Sequence, residues 1–361
     1  MWPYWFLFLL FAFFAVVQMK PYSKIAHTAH LDRWHYGWVG LFVLLVLMIG
    51  LRHDVGADWG TYLNNLEHMA QMPFISLYAI GDPAYSLLEW IGANIFGGIY
   101  FVNTVCAGFF TWGVFAFCRL QPSPRLALVV AVPYLAIVVA MGYSRQGVAI
   151  GIAMLAMIAL ERGSPLRCLL WIGLAASFHK SAVILVPLVA LASTRRGVFT
   201  LVWVISAGAL MFVLLLQESV DTLVSAYIGS EMESTGANIR VAMNALPAML
   251  FLILRKRFEL SAHRHSFWTW MSWSSLLFVV LLEVSPSSTA VDRVALYWIP
   301  LQLFVLSHLP RVLGKRNGKN AVWVYAVVLY SATVLFTWLT YANMAYAWIP
   351  YKFYPWIWFW Q

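Results

Sequence analysis

Apolar runs separated by short polar interruptions recur along the whole chain, and their length carries the signal. Runs at about 2–19, 36–51, 99–118, 126–143, 147–160, 168–178, 181–192, 198–216, 241–254, 266–282, 293–309 and 321–341 read as membrane helices. A helix needs roughly 17 to 25 residues to cross a bilayer. The runs at 147–160, 168–178, 181–192 and 241–254 therefore read as half-helices or as helices that borrow polar flanks. No linker of domain size and no internal repeat interrupts the pattern. It predicts an all-α polytopic membrane protein with about 12 transmembrane or half-membrane helices, forming a single transmembrane helical domain over residues 1–361.

Composition excludes a soluble globular domain, because 62% of the residues are hydrophobic, 17% aromatic and only 10% charged. The net charge of +9 changes meaning once it is divided among loops. Assigning 20–35, 119–125, 161–167, 193–197, 255–265 and 310–319 to the cytoplasm places 17 of the 23 Lys and Arg there and 11 of the 14 Asp and Glu outside. The basic balance is then a topology signal, and no nucleic-acid partner is expected. Both termini fall outside. The run Trp2 to Met19 has no basic residue ahead of it and Lys20 and Lys24 behind it, which fits an N-out anchor rather than a cleavable signal. The aromatic, proline-interrupted segment 348–358 reads as lying in the membrane interface. Cys106, Cys118 and Cys168 show neither a disulfide framework nor metal spacing.

Two extracytoplasmic loops are long, at about 52–98 and 217–240. The first holds an apolar stretch from Tyr85 to Phe96 that carries Glu89. A crossing there would invert every later loop, so this stretch is expected to be a re-entrant or surface-lying helix. The second loop is acidic and reads as a lid or as an ordinary solvated loop.

Candidate chemistry concentrates where apolar runs end. Gly50-Leu51-Arg52-His53-Asp54-Val55-Gly56-Ala57-Asp58-Trp59-Gly60-Thr61-Tyr62 places four ionisable side chains within seven residues. Only Arg52, Arg145, Lys180, Arg240, Arg293 and Lys352 remain as outer basic residues. Four of these, Arg52, Arg145, Lys180 and Arg293, stand at the junction of a run and a turn. Arg145 begins a run, where unpaired N–H groups and the helix dipole already favour an anion. Lys180 follows His179 at the hinge between two short runs, and Arg293 opens another. A single arginine at a span end ordinarily anchors a helix. Several that punctuate helix breaks on the outer face point instead to one anionic ligand. The planar guanidinium holds phosphate oxygens bidentately, so a lipid-linked phosphate or pyrophosphate fits, its tail between helices. Fixed guanidinium charge would stabilise a departing pyrophosphate, so no metal and no cofactor is required. His179, Asp54 and Asp58 are the candidate bases for activating a hydroxyl.

The motifs Gly50-x-Arg52-x-x-x-Gly56-x-Asp58-x-x-x-Tyr62, Arg145-Gln146-x-x-Ala149, Phe178-His179-Lys180-Ser181-Ala182 and Asp292-Arg293-x-x-x-Tyr297 follow one another in the chain. Together with the ending Trp348-x-Pro350-Tyr351, they resemble the EpsG-like branch of Wzy-type bacterial polysaccharide polymerases, from about residue 36 to 352. The resemblance implies a multi-pass protein of the bacterial inner membrane, akin to lipid-dependent, GT-C-like membrane glycosyltransferases and O-antigen ligases. It implies polymerisation of undecaprenyl-pyrophosphate-linked repeat units into exopolysaccharide or O-antigen on the periplasmic face. Expected partners are that lipid-linked glycan, membrane lipid, and a chain-length regulator and flippase of the same pathway.

In this reading Arg52, Arg145 and Arg293 hold the pyrophosphates, and His179 acts as base or orients the acceptor. Asp58 is the alternative base or positions Arg52. Lys180, Asp54, Tyr62, Gln146 and Tyr297 complete the expected substrate contacts, and Trp59, Tyr62 and Tyr143 are candidates to stack on sugars. Three rivals stand beside it: an O-antigen ligase, a membrane acyltransferase using His179, and a non-enzymatic lipid-linked glycan flippase or transporter. The last would bury charge deep in its spans and show inverted repeats, whereas here charge sits at the outer ends.

Overall fold

The computed structural model describes residues 1–17, 19, 36–79, 81–193, 198–215, 234–315 and 318–360. Every apolar run of the sequence forms helix within these residues. In chain order the helices are α1 (Trp2–Val17), α2 (Tyr36–Gly50), α3 (Trp59–Ala70), α4 (Pro83–Asn94), α5 (Ile99–Arg119) and α6 (Pro124–Ala140). They continue with α7 (Ser144–Glu161), α8 (Pro165–Phe178), α9 (Val186–Ser193), α10 (Val198–Leu215) and α11 (Ala237–Leu254). The last are α12 (Ala262–Val284), α13 (Ser288–Ala295), α14 (Ile299–Val312), α15 (Ala321–Tyr341) and α16 (Tyr354–Trp360). Residues 20–35, residues 194–197 and the 216–233 part of the second outer loop lie outside the described residues.

Among the described residues six helical runs are long and apolar enough to cross a membrane: Ile99–Arg119, Ser144–Glu161, Ala237–Phe258, Ala262–Val284, Ser288–Val312 and Ala321–Tyr341. Two of them answer the question posed by short runs. α7 and α11 gain length by taking in the polar flanks Ser144 to Gln146 and Ala237 to Arg240. Two others stay short. α8 ends at His179, whose extended backbone (φ −158°, ψ 112°) breaks the helix before a 3-10 segment, Lys180–Leu185, leads into α9. α4 has 12 residues, about 18 Å of helix, too little to cross a bilayer.

The core is built where small residues let helices approach. A side chain on Gly151 of α7 would strike the backbone of Phe110, and Gly113 of α5 meets Gly151 in the same way, so α5 and α7 touch nearly backbone to backbone. Around this contact α7 is almost wholly buried, flanked by α5 and α8.

The C-terminal segment packs on the rest of the protein through its first residues. Trp348 is fully buried, donates to the Ile137 carbonyl (2.8 Å), and accepts from the Tyr4 hydroxyl at its own carbonyl (2.6 Å). The segment then straps the loop after α2: the N–H of Gly56 donates to Ala347, that of His53 to Lys352, and that of Tyr354 to Leu51. Internal hydrogen bonds take up these backbone groups, and exposed aromatics follow in α16, at Trp356, Trp358 and Phe359.

Ion pairs respect the two faces read from the sequence. Glu161–Arg264 and Glu259–Arg311 join segments assigned to the cytoplasm, while Arg145–Asp82, Arg240–Asp292 and Lys352–Asp54 join segments assigned outside.

Candidate functional site

The loop after α2 is shaped by Arg52, which is 1% exposed. Its Nη1 donates to the Ile49 carbonyl (2.6 Å), Nε to Val55 (3.3 Å), and Nη2 to Asn103 Oδ1 (3.3 Å) and Ser144 Oγ (2.6 Å). These acceptors tie the end of α2 to α5 and to the first residue of α7. Gly56 completes the loop at φ 103°, where a side chain would meet the Met141 carbonyl. The result is that Arg52, expected to hold a phosphate, has its donors directed inward. Asp54 points the other way, 55% exposed and paired with Lys352 at 2.5 Å.

Arg145, in the first turn of α7, is the hub of the site. Its guanidinium lies over the rings of Tyr62 (5.9 Å) and Tyr85 (5.7 Å), and the Tyr62 hydroxyl is hydrogen-bonded to the Arg145 backbone. Nη1 stands 3.8 Å from Asp82 Oδ2, too far for a hydrogen bond, and the side chain is 38% exposed. Asp82 gathers the rest: its Oδ1 accepts the backbone N–H of Lys180 (3.0 Å), and its Oδ2 lies 3.7 Å from His179 Nδ1. The carboxylate thus receives the helix break between α8 and α9, and 98 residues of sequence separate the partners. Glu89, two turns further along α4, is buried.

A second group lines a cavity of about 780 Å³ between α11, α13 and α15 and the start of α7. Arg293 lines it and is exposed. Arg240 lines it too, with Nε donating to Asp292 Oδ1 (2.7 Å) and further donors on Ser234 Oγ and the Thr235 carbonyl. Gln146 donates from Nε2 to the Arg293 carbonyl (2.6 Å), fixing α13 to α7. One wall is a stripe on α15, with Tyr330, Thr333, Val334, Thr337, Trp338 and Tyr341 at helical spacing. Beneath, Asn244 donates to the Ala295 carbonyl and accepts from Gln302, stitching α11 to α13 and α14.

Asp58 links the two groups. It sits at the N-cap position of α3 with no capping hydrogen bond, half-buried, and both Arg293 and Arg145 act on its charge. Burial is the larger influence and raises its pKa above the ordinary carboxylate value, while the two arginines pull the other way.

The structure therefore brings Asp58, Arg145, His179 and Lys180 into one region, with Arg293 and Gln146 adjoining it at the cavity. Tyr62 supports Arg145, but it is 2% exposed, and Trp59 is 7% exposed against His53 and Tyr100. Neither ring has a face free for a sugar, because the amphipathic α3 turns both inward. Tyr297 is fully buried and accepts from the Ser181 hydroxyl (3.2 Å), so it ties α13 to the hinge rather than lining the cavity.

Three acids and one base escaped the sequence reading. Asp82 carried a signal, the helix-start pattern Asp-Pro ahead of an apolar run. Arg240 and Asp292 were visible as charges without a pairing, and Glu89 as an oddity in an apolar stretch. Among the described residues no three His, Cys, Asp or Glu side chains are grouped to hold a metal ion. Residues 35–353 match the EpsG family. No curated protein and no solved structure matches the chain.

Proposed function

The chain belongs to the EpsG family, and on that premise we propose that it is a membrane glycosyltransferase that joins repeat units carried on undecaprenyl pyrophosphate at the outer face of the bacterial inner membrane. The observation that carries this reading is Asp58, whose charge both Arg145 and Arg293 act on, with Arg293 on the wall of a largely apolar cavity of about 780 Å³. A lipid-linked glycan has the matching character, an anionic pyrophosphate between a sugar and a long apolar chain. The α15 stripe from Tyr330 to Tyr341 runs about 16 Å, enough to lie along several isoprene units.

In the proposed transfer the bond between the anomeric carbon and its phosphate oxygen breaks, its electron pair leaving with the pyrophosphate. The acceptor hydroxyl oxygen bonds to that carbon and gives up its proton. Negative charge grows on the leaving group, so Arg145 and Arg293, with Arg240 beside them, stabilise the transition state more than the ground state. Asp58 takes the proton: its raised pKa makes it a stronger base than an ordinary carboxylate, and the arginines favour its ionised form. His179 is the second candidate base, with the Asp82 carboxylate 3.7 Å from its Nδ1. Arg52 is assigned to the frame that presents Arg145, through Ser144.

The test is genetic and chemical. A deletion strain of the native bacterium should accumulate single repeat units on the lipid carrier and regain polymer with the wild-type gene. Asp58→Asn should restore less than about a hundredth of it at equal protein level. Accumulation of finished polymer on the carrier would indicate a ligase instead.

A further inference from the structure

α4 buries a carboxyl group that neither the fold nor the reaction above uses. Glu89 is 3% exposed, and its Oε1 has no hydrogen-bond partner among the described residues. A buried carboxyl group left partly unsatisfied is costly, so its place needs a reason. Register puts it there: the buried face of α4 is Tyr85, Ser86, Leu88, Glu89 and Gly92, turned toward α3, α5 and α8.

The groups that face Glu89 can be named element by element. Tyr85, one turn before Glu89 on the same buried face, lies 5.7 Å from the Arg145 guanidinium, and Arg145 of α7, Cys106 of α5, and Asp82 and Tyr85 of its own cap and helix are electrostatically coupled to Glu89. Tyr62 of α3 adjoins through Tyr85 and Arg145, and His179 and Lys180 adjoin through Asp82. The Tyr85 hydroxyl has no hydrogen-bond partner among the described residues either, so it does not neutralise Glu89.

We propose that Glu89 is a positioning residue for Arg145: a buried carboxyl group, one helical turn from the Tyr85 ring on which the guanidinium rests, whose charge sets how much positive charge the site offers an anionic ligand. It acts through Arg145, because it is closed off from any ligand. Burial lifts its pKa to about 7, with Arg145 pulling down and Asp82 pushing up. Below that pH Glu89 is neutral, and Asp82 and Asp58 oppose Arg145. Above it a further negative charge opposes Arg145, and an anion there is held less tightly. By reciprocity, an arriving pyrophosphate raises the proton affinity of Glu89, so binding takes up a proton. This inference rests on the reading of Arg145 as an anion-binding residue.

The experiment is calorimetric titration of the purified full-length protein in detergent with inorganic pyrophosphate, from pH 6 to 8.5. Wild type is compared with Glu89→Gln, Glu89→Leu, His179→Gln and Arg145→Ala. The titration of pyrophosphate itself is common to all and cancels in ratios of Kd. The wild-type Kd is expected to rise about tenfold relative to that of Glu89→Gln across this range, with proton uptake near pH 7 that the variant lacks. Glu89→Leu, neutral but without hydrogen-bonding atoms, should repeat the result, which separates charge from hydrogen bonding. His179→Gln is the companion variant because imidazoles as a class change charge in the same range. A constant ratio for the Glu89 variants, or a pH dependence abolished only by His179→Gln, overturns the role of Glu89 while leaving the anion site standing. Absence of binding by wild type, or binding indifferent to Arg145→Ala, overturns both.

Discussion

Arg52 and Arg145 look alike in the sequence, each a lone arginine where an apolar run meets a turn, yet their surroundings differ in kind. Arg52 spends its donors on Ile49, Val55, Asn103 and Ser144 inside the protein, while Arg145 rests on two aromatic rings with its nearest carboxylate beyond hydrogen-bond reach. Their alanine variants should therefore fail differently. Arg52→Ala orphans several buried acceptors and is expected to cost about 3 kcal/mol or more, seen as lost protein and a lower melting temperature. Arg145→Ala should leave the protein in the membrane at normal level and abolish polymer. Glu89 gives a second prediction at this scale. Its pKa of about 7 lies above the ordinary 4.5, so its protonated form favours the fold. That contribution is complete below about pH 4.5 and is lost as pH rises through 7, by about 3 kcal/mol in all. Glu89→Gln should melt higher than wild type at pH 8, and the two should converge toward pH 5. What separated these residues was invisible in the sequence, because each depends on partners tens of residues away.

At the scale of elements the sequence was most legible where a single property decided the outcome. Apolar length located the helices, and the short runs were correctly marked as places where helices break or take in polar residues. Breaks at His179 and starts at Ser144 and Ala237 put the charged side chains at helix ends, as span arithmetic required. The amphipathic α3 was missed because its face is mixed and its length is only 12 residues. The contacts of the C-terminal strap were not foreseen because aromatic density reads the same whether rings meet lipid or a loop. Close packing also left its trace in glycine: Gly151→Val would force the backbone of Phe110 away from α7. It is expected to lower the yield of folded protein severalfold in a detergent-stability assay while Gly40→Val, with open space at its Cβ, does not.

For the whole molecule the charge distribution ties sequence to orientation. Ion pairs among the described residues join like-assigned segments, which is the arrangement a positive-inside protein would need. Ala57→Cys and Lys319→Cys should consequently react with an impermeant thiol reagent from opposite sides of the membrane. The native Cys106, Cys118 and Cys168 are buried, so the background should be low. In the proposed function one constellation, Asp58 with Arg145 and Arg293, moves a glycan between lipid carriers. Its most direct test is to incubate the purified protein with a synthetic undecaprenyl-pyrophosphate-linked repeat unit and size the products. Wild type is expected to yield a ladder of multiples of the repeat unit, and Arg145→Ala only the starting unit. A wild-type protein that leaves its cognate unit unextended, or an Arg145→Ala variant that builds the full ladder, would contradict this role for the constellation.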